Sequence, residues 1–178
     1  MQVVREFLNN ELTTHNFDLS DVHAELDMDF RRLKIGDFQV CDFSYGDCEV
    51  DIKLTHSDEH KFHIIVPLNG HADITSRASQ FTLHPGSAWI FTTPEATNTT
   101  FHDSNCFRNI NICLSYDALK DYLANEFDLP ITRTIKFQKN PVRVNPDFRF
   151  LLDYTRWLTT RIDSDVSSML VSSTHLTK

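Results

Sequence analysis

The sequence predicts a mainly β domain with helices at its C-terminal end, an α+β class, and three observations carry this prediction. Between residues 30 and 114, short runs of β-branched and aromatic residues are bounded by Gly, Pro, Asn or Ser, which is typical of strands joined by tight turns. Over residues 47–54, apolar and polar residues alternate, which indicates a strand with one buried face. After Ser115 the apolar period changes to about 3.6 residues, which indicates helices.

Closely spaced antiparallel strands favour a closed arrangement. The strands must form a barrel or double over, because an open sheet exposes its edges. A small barrel has an interior wide enough for side chains or for one small ligand. We therefore expect a binding site, if the chain has one, in that interior.

Length and charge limit the possible functions. A chain of 178 residues with 40% apolar and 24% charged residues matches one domain with a sizeable core, which excludes a disordered or fibrous protein. The net charge of −8 and the scattered basic residues argue against nucleic-acid binding by this chain itself. No apolar run is long enough to cross a membrane, and the N-terminus is unlike a signal peptide. The expected location is therefore cytoplasmic, with no membrane contact.

The four cysteines form no Cys-x-x-Cys pair and are expected to be buried thiols.

The predicted elements begin with an N-terminal arm. Residues 1–29 form this arm, with a short amphipathic helix over residues 2–10. Two strand arms are expected around Gly36. The pair Asn69–Gly70 predicts a tight hairpin, because both residue types tolerate positive φ. A further turn is expected over residues 76–80.

Two helices and one more strand follow. Ser115 as an N-cap predicts an inserted helix near residues 116–127. A last strand is expected over residues 131–137. The run Asn145-Pro146-Asp147 places an N-cap, a first-turn proline and an acid in order, which predicts a helix that runs to about Asp163.

Residues 145–178 make up the predicted C-terminal helical segment, which carries two apolar strips. One strip, through Phe148 and Leu152, is expected to pack on the domain. The second strip suggests contact with another copy of the chain, although a fully buried helix shows the same pattern. The candidate dimerisation residues are Phe150, Tyr154, Trp157 and Arg161. The helical pattern still continues at the last residue, so we expect the chain to be part of a longer protein.

Strand phase supplies candidates for a ligand pocket inside the predicted barrel. A mostly apolar cavity with a few polar groups suits a small, flat and aromatic ligand. The candidate ligand-binding residues are Phe62, Ile64, Val66, Ile74, Trp89, Phe91, Ile110 and Ile112. The opposite phase would instead turn His63, Ile65, Ile90 and Asn111 inward, and the pattern leaves this choice open. Trp89 and Phe91 could also simply fill the barrel.

Several motifs, in this order and spacing, resemble the N-terminal sensor domain of the AraC/XylS family of bacterial transcription regulators. The similarity extends from about Phe30 to Ile162. The motifs that carry it are Arg31 to Phe38, Phe43 to Gly46, Phe62 to Gly70, Leu83 to Phe91 and Ser115 to Leu119.

The resemblance implies a cupin-like antiparallel β-barrel over residues 30–137 that holds a small-molecule effector. It also implies that residues 145–178 form a homodimer through their helices. In the family, a C-terminal pair of helix-turn-helix motifs binds DNA. This chain ends where that domain would begin, so it is expected to be truncated there, and DNA contact is expected only through the missing domain. The resulting expectation is a ligand-sensing and dimerising domain of a transcription regulator, with no catalysis and no cofactor.

A metal-dependent cupin enzyme, such as a dioxygenase, is the alternative. Catalytic cupins hold a metal through a His-x-His pattern followed by Glu and Gly, and on this chain those positions fall on His56, Asp58 and His63 before Gly70. Two imidazoles and a carboxylate can coordinate a divalent metal as a facial triad. A fourth position falls near Thr97, which is a poor ligand, so the preferred prediction is that no metal binds.

Overall fold

The described part of the chain contains two antiparallel β-sheets and the two helices given below. The computed structural model describes residues 6, 15–19, 27–54, 60–76, 79–93, 96, 99–104, 106–128 and 135–170, with side chains at all of these except 15–19 and 161–170. The strands are β1 (His15–Leu19), β2 (Asp29–Ile35), β3 (Phe38–Ser44), β4 (Val50–Leu54), β5 (Lys61–Asn69), β6 (Ala72–Thr75), β7 (Gln80–Leu83), β8 (Ser87–Thr92), β9 (Thr100–Asp103), β10 (Arg108–Ser115) and β11 (Val142–Arg143). The helices are α1 (Tyr116–Phe127) and α2 (Pro146–Leu170).

The described strands form one five-stranded sheet and one six-stranded sheet. The first has the order β1-β4-β9-β6-β7 and the second the order β11-β8-β5-β10-β3-β2, with antiparallel pairing throughout. Consecutive strands pass repeatedly from one sheet to the other, which is the jelly-roll arrangement of cupins. The predicted class, mainly β with C-terminal helices and a cupin-like fold, is confirmed. The described strands form two facing sheets rather than one closed barrel.

The five-stranded sheet shows the expected alternation of inward and outward side chains. On β4, Val50 and Leu54 are buried, whereas Asp51 lies on the outer side and its Oδ1 is 2.7 Å from Nδ1 of His102 on β9. The neighbouring β9 residues Phe101 and Asp103 are both buried. One face of this sheet therefore covers the core and the other is polar.

The six-stranded sheet is buried on both faces at its centre. Trp89 and Phe91 of β8 pack against the five-stranded sheet. On the opposite face, Val66 and Ile110 form a separate cluster with Leu152 of α2. This helix therefore covers the outer face of the sheet, and the described residues pack apolar side chains on both sides of that sheet.

Local capping explains where both helices begin. The backbone N–H of Ala118 donates to Oγ of Ser115 at 3.0 Å, and α1 starts at the next residue after this cap. The N–H of Phe148 donates to Oδ1 of Asn145 at 2.7 Å. Helix α2 was expected to end near Asp163 but continues to Leu170, because no Gly or Pro interrupts this part of the sequence.

The pair Asn69–Gly70 does not form the predicted hairpin. Strand β5 lies in the six-stranded sheet and β6 in the five-stranded sheet, so this turn is a corner between sheets. A two-residue hairpin of the expected type needs positive φ at both residues, and Gly70 has a φ of +66° while Asn69 does not share this conformation. The turn around Gly36 does join a paired hairpin, β2 with β3.

The structure also bears on the predicted N-terminal helix, the predicted last strand and the burial of the cysteines. The short helix over residues 2–10 lies outside the described residues except at position 6. Residues 135–137 are not a strand; β11 follows at Val142. Cys41, Cys48 and Cys113 are buried as expected, and burial raises the pKa of Cys41 to about 11, but Cys106 is exposed.

The corner at Gly70 generates a stability prediction. A Cβ atom there would lie 2.9 Å from Cα of Phe107 and 2.9 Å from Oγ of Ser104. Gly70→Ala is expected to lower the free energy of unfolding by about 2–3 kcal/mol, from positive φ and this steric contact together. Urea denaturation measures the change.

Gly36→Ala is the matched control. Gly36 also has positive φ, at +57°, but a Cβ there meets no atom within 4 Å. Its substitution should cost only the conformational part, about 1 kcal/mol. Equal losses in the two variants would show that the packing of Phe107 against Gly70 is unimportant.

Candidate functional site

A cavity of about 60 Å³ lies between the two sheets. Its apolar walls come from both sheets and include Ile52, Leu54, Ile65, Leu83, Phe91 and Phe101. One water occupies roughly 10–15 Å³ by this measure, so the cavity has room for about four to five waters or a ligand of similar size. A dry protein cavity that binds benzene is about 150 Å³, so this inner cavity is too small for an aromatic ring.

Part of the wall of the inner cavity is polar and is contributed by strands β5 and β10. His63 and Asn111 are both buried, and Nδ1 of His63 lies 3.3 Å from Oδ1 of Asn111, which accepts its hydrogen bond. The other ring nitrogen, Nε2, lies 3.5 Å from the hydroxyl of Thr93. The ring of His63 also stacks on Phe91, with centroids 5.1 Å apart. His63 is therefore held in one orientation by both polar and aromatic contacts.

Two further polar residues of this wall carry atoms without a partner. Oδ1 of Asp103 and Oδ1 of Asn109 are buried and have no hydrogen-bond partner among the described residues. Each residue as a whole is only 2% exposed. Leaving a buried polar atom unpaired costs about 1–3 kcal/mol. These two oxygens are therefore available to a ligand or to ordered water.

Burial determines the ionisation of Asp103. The loss of hydration on burial, followed by repulsion from Asp51, raises the pKa of the Asp103 carboxyl well above its ordinary value. Nearby, burial likewise raises the pKa of the Tyr45 phenol, and the charge of Asp103 adds to that effect. The inner cavity therefore contains a carboxyl group that resists ionisation and whose Oδ1 has no partner among the described residues.

A second, larger cavity of about 250 Å³ lies beside the aromatic side chains of β8, which we call the aromatic wall. Trp89 and Phe91 line it from the core side, and their rings stack with centroids 4.2 Å apart. Lys136 and Lys139 line it from the segment that follows α1. The buried hydroxyl of Thr99, which also lines this cavity, has no hydrogen-bond partner among the described residues. Because Phe91 lines both cavities, the two spaces meet at its ring.

The structure divides the predicted ligand-binding residues between the two faces of the sheet. Trp89, Phe91 and Ile74 belong to the core between the sheets. Phe62 stacks on Phe137, with ring centroids 4.9 Å apart. The remaining four belong to the cluster beneath α2: Ile64, Val66, Ile110 and Ile112. Those four therefore do not line the inner cavity, whatever ligand it takes.

On β5 and β10 the opposite phase faces the inner cavity, whereas on β8 the predicted residue Phe91 faces it. His63 and Ile65 of β5 and Asn111 of β10 line it, and Ile90 borders the larger cavity. The alternation of residues along the strands does not by itself decide which phase faces inward. Asp103 was missed, because β9 is short and its polar neighbours resemble a loop.

The alternative metal site can be described only at one of its three residues. His56 and Asp58 lie outside the described residues, and His63 contacts Asn111 and Thr93. Within the part of the chain that the structure describes, no group of three or more His, Cys, Asp or Glu side chains could hold a metal ion. The metal set therefore remains a sequence prediction.

The candidate dimerisation residues lie on the side of α2 that faces away from the sheet. Phe150 is 75% exposed, Tyr154 50% and Trp157 53%. The rings of Tyr154 and Trp157 stack with centroids 6.0 Å apart. The side chain of Arg161 lies outside the described residues. An aromatic surface of this kind on a helix is typical of an interaction site.

An ion-pair network connects the six-stranded sheet to α2. Oδ1 of the buried Asp42 on β3 accepts a hydrogen bond from Nε of Arg108 on β10 at 2.8 Å. Its other oxygen, Oδ2, lies 3.7 Å from Nε of Arg156 on α2. Arg108 also contacts Asp29 at 2.9 Å. Arg108 is the residue next to Asn109, so the network begins one position from the inner cavity.

The chain is similar to AraC-type proteins both in sequence and in fold. Residues 4–176 match the family model of the AraC-binding-like domain. By fold, the chain is similar to the AraC-like transcriptional activator CuxR, at 11% identity and a TM-score of 0.58 over 96% of this chain. The chain spans 64% of the length of that activator. No match is found among curated protein sequences.

Two further solved structures are similar over part of the chain. One is a cupin superfamily protein from Desulfitobacterium hafniense, at 18% identity and a TM-score of 0.40 over 53% of this chain and 84% of that one. The other is the ectoine synthase from P. lautus, at 10% identity and a TM-score of 0.40 over 67% of this chain and 85% of that one. Among the described residues, no helix is long and apolar enough to span a membrane.

The ionisation of Asp103 predicts how stability depends on pH. Its pKa is raised by burial, so the folded state keeps this proton to higher pH than the unfolded chain, in which Asp titrates at about 4. Stability is therefore lost as pH rises from about 4 through the higher pKa of the folded state. Asp103→Asn removes this loss, so its stability relative to the wild type should increase with pH, by up to about 1.4 kcal/mol per pH unit.

Urea denaturation across this pH range measures the two slopes. Asp37→Asn is the control, because Asp37 is exposed in the turn between β2 and β3. That variant should keep the slope of the wild type. Parallel slopes for Asp103→Asn and the wild type would contradict the buried, unpaired state of the carboxyl group.

Proposed function

We propose, on the basis that the chain belongs to the AraC-binding-like domain family, that it is the effector-sensing part of an AraC-type transcription regulator. The observation that carries the proposal is the cavity between the sheets, whose polar wall holds buried oxygens without partners. In this proposal, DNA is bound by another part of the regulator. The net charge of −8 supports that division, because DNA binding needs clustered basic residues.

The effector is proposed to bind between the two sheets, against the aromatic wall. The larger cavity exceeds the size needed for a benzene-sized ring, and the stacked rings of Trp89 and Phe91 provide a flat apolar surface. The inner cavity supplies the polar contacts that determine orientation. No catalytic role is proposed: His63, the one imidazole in the described wall of either cavity, is held by Asn111, Thr93 and Phe91. The hydroxyl of Thr93 donates to the backbone oxygen of Lys61 at 3.2 Å, so its proton is not directed at the imidazole.

Strand β10 offers a physical route from the effector to the helix. Asn109 faces the inner cavity, while the preceding Arg108 holds Asp42 on the other side of the sheet. Asp42 is also approached by Arg156 of α2. A ligand that binds one arrangement of β10 better than another would change the position of α2 through this network.

Helix α2 is proposed to form the dimer that such a signal acts on. Phe150, Tyr154 and Trp157 are spaced by four and three residues, which places them on one side of the helix. The opposite side already packs on the sheet through Leu152. Two copies of this exposed stripe could pack against each other as a symmetric interface.

Filling the inner cavity tests effector binding. Ala72 is fully buried and lines this cavity, so Ala72→Leu adds three carbon atoms to the space. Small acids, alcohols and amines are screened for thermal stabilisation of the wild type; a ligand at 100 times its Kd stabilises by about 2.7 kcal/mol. Any such stabilisation should disappear in Ala72→Leu.

Ala88→Leu controls for overpacking alone. Ala88 is equally buried, but belongs to the cluster beneath α2. Both variants should lose about 1–3 kcal/mol of stability from overpacking, yet Ala88→Leu should still respond to the ligand. The sensor proposal fails if no compound stabilises the wild type, or if both variants respond alike.

Sedimentation equilibrium tests the dimer. Replacing both Tyr154 and Trp157 by Ala should weaken self-association about 1,000-fold, because buried aromatic residues at an interface each contribute about 2 kcal/mol, or about 4 kcal/mol together. Tyr122→Ala on α1 is the control, because Tyr122 is 60% exposed and lies on another helix. A wild type that is monomeric at high concentration, or equal weakening by Tyr122→Ala, contradicts a dimer through α2.

A further inference from the structure

The polar part of the inner cavity's wall is rich in hydrogen-bond acceptors, a property that the sensing role alone does not require. Its two unpartnered oxygens, Oδ1 of Asp103 and Oδ1 of Asn109, are both buried, and both side chains line the same small space. An amide oxygen only accepts hydrogen bonds, and so does an ionised carboxylate. Apart from these groups and the His63–Asn111 pair, the wall is largely apolar.

We propose that the inner cavity binds the ammonium group of a small primary amine, with Asp103 and Asn109 as its acceptors. This assignment rests on the proposed sensing function and names the class of effector for it. An ammonium group brings three N–H donors, which can satisfy both orphaned oxygens at once. The net charge of −8 on the chain also favours a cationic ligand over an anionic one.

The binding step involves one proton. Burial raises the pKa of the Asp103 carboxyl well above its ordinary value in the free protein, which favours the protonated form. When the ammonium ion enters, the carboxyl group releases its proton to solvent, and the resulting carboxylate pairs with the cation. The entering positive charge therefore replaces the departing one, and the buried site contains a hydrogen-bonded ion pair rather than a lone charge. The titratable groups around Asp103 are Tyr45, Asp51 on the outer side of β4, and His63 across the same cavity.

Size selects a short amine. A cavity of about 60 Å³ accepts a ligand with roughly the bulk of four to five waters. n-Propylamine has this size and is the probe of choice. 1-Propanol and propionate are its matched controls, because they keep the length and replace the ammonium group by a neutral hydroxyl or an anion.

Nuclear magnetic resonance titration of the 178-residue chain at about pH 7 measures the three affinities. n-Propylamine should bind at least about tenfold more tightly than 1-propanol, and propionate should bind more weakly than either. The resonance of the Asn109 side-chain amide should shift during the titration. Calorimetry in two buffers with different ionisation enthalpies should show release of about one proton per n-propylamine bound.

Substitutions assign the effect to the two residues. Asp103→Asn should weaken n-propylamine binding at least about tenfold and abolish the proton release, whereas Asp37→Asn should change neither. Asn109→Ala should weaken binding while proton release remains, which keeps the proposal testable if Asp103→Asn fails to fold. The wild-type comparison of the three probes is independent of both variants.

The outcomes separate this assignment from the sensing role. Equal binding of n-propylamine and 1-propanol, or preference for propionate, would overturn the amine assignment. So would the finding that the cavity exchanges only water and binds none of the three probes. If another compound still stabilises the wild type and loses its effect in Ala72→Leu, the sensing function stands without the amine assignment.

Discussion

Strand β10 is buried on both of its faces, and much of the architecture depends on this constraint. Successive side chains of a strand point to opposite sides, so Asn109 and Asn111 line the inner cavity while Ile110 and Ile112 pack beneath α2. A strand with one wet face would contact only one of these environments. Because β10 contacts both, a single layer of backbone separates the chemistry of the cavity from the packing of the helix. The five-stranded sheet covers one face of β10, and α2 covers the other.

Polar atoms inside this sandwich are treated in two ways. His63 and Asn111 satisfy each other, which shows that the fold can bury polar side chains with their hydrogen bonds intact. Asp103 and Asn109 keep an oxygen unpaired in the same space, at a cost of about 1–3 kcal/mol for each. The orphaned oxygens are therefore a local property of one part of the wall. Among the described residues, this part of the wall therefore concentrates hydrogen-bond acceptors that the protein itself leaves unused.

Local signals in the sequence were sufficient for the fold class and for the helix starts at Ser115 and Asn145, since capping depends on residues within one turn. They were insufficient where the outcome depends on distant partners. Asn69–Gly70 carries a hairpin signature, but the packing of Gly70 against Phe107 makes it a corner between sheets. The isoleucines of β10 indicate a core, and alternation cannot tell which of two cores they join. The role of Asp103 depends on burial by the opposite sheet, which its polar neighbours in the chain conceal.

The two-sided strand has a consequence for how such a domain could be redirected to new ligands. Changes at odd-numbered positions of β10 alter what the interior recognises, and leave the even-numbered positions that seat the helix untouched. The residues that line the cavity and the residues that pack against α2 can therefore change independently, although they alternate along one strand. Evolution, or a designer of biosensors, could exchange the first while retaining the second. Arg108 is the exception to this separation, because it adjoins the cavity residue Asn109 and anchors the ion-pair network, so substitutions there should affect both the cavity and the helix.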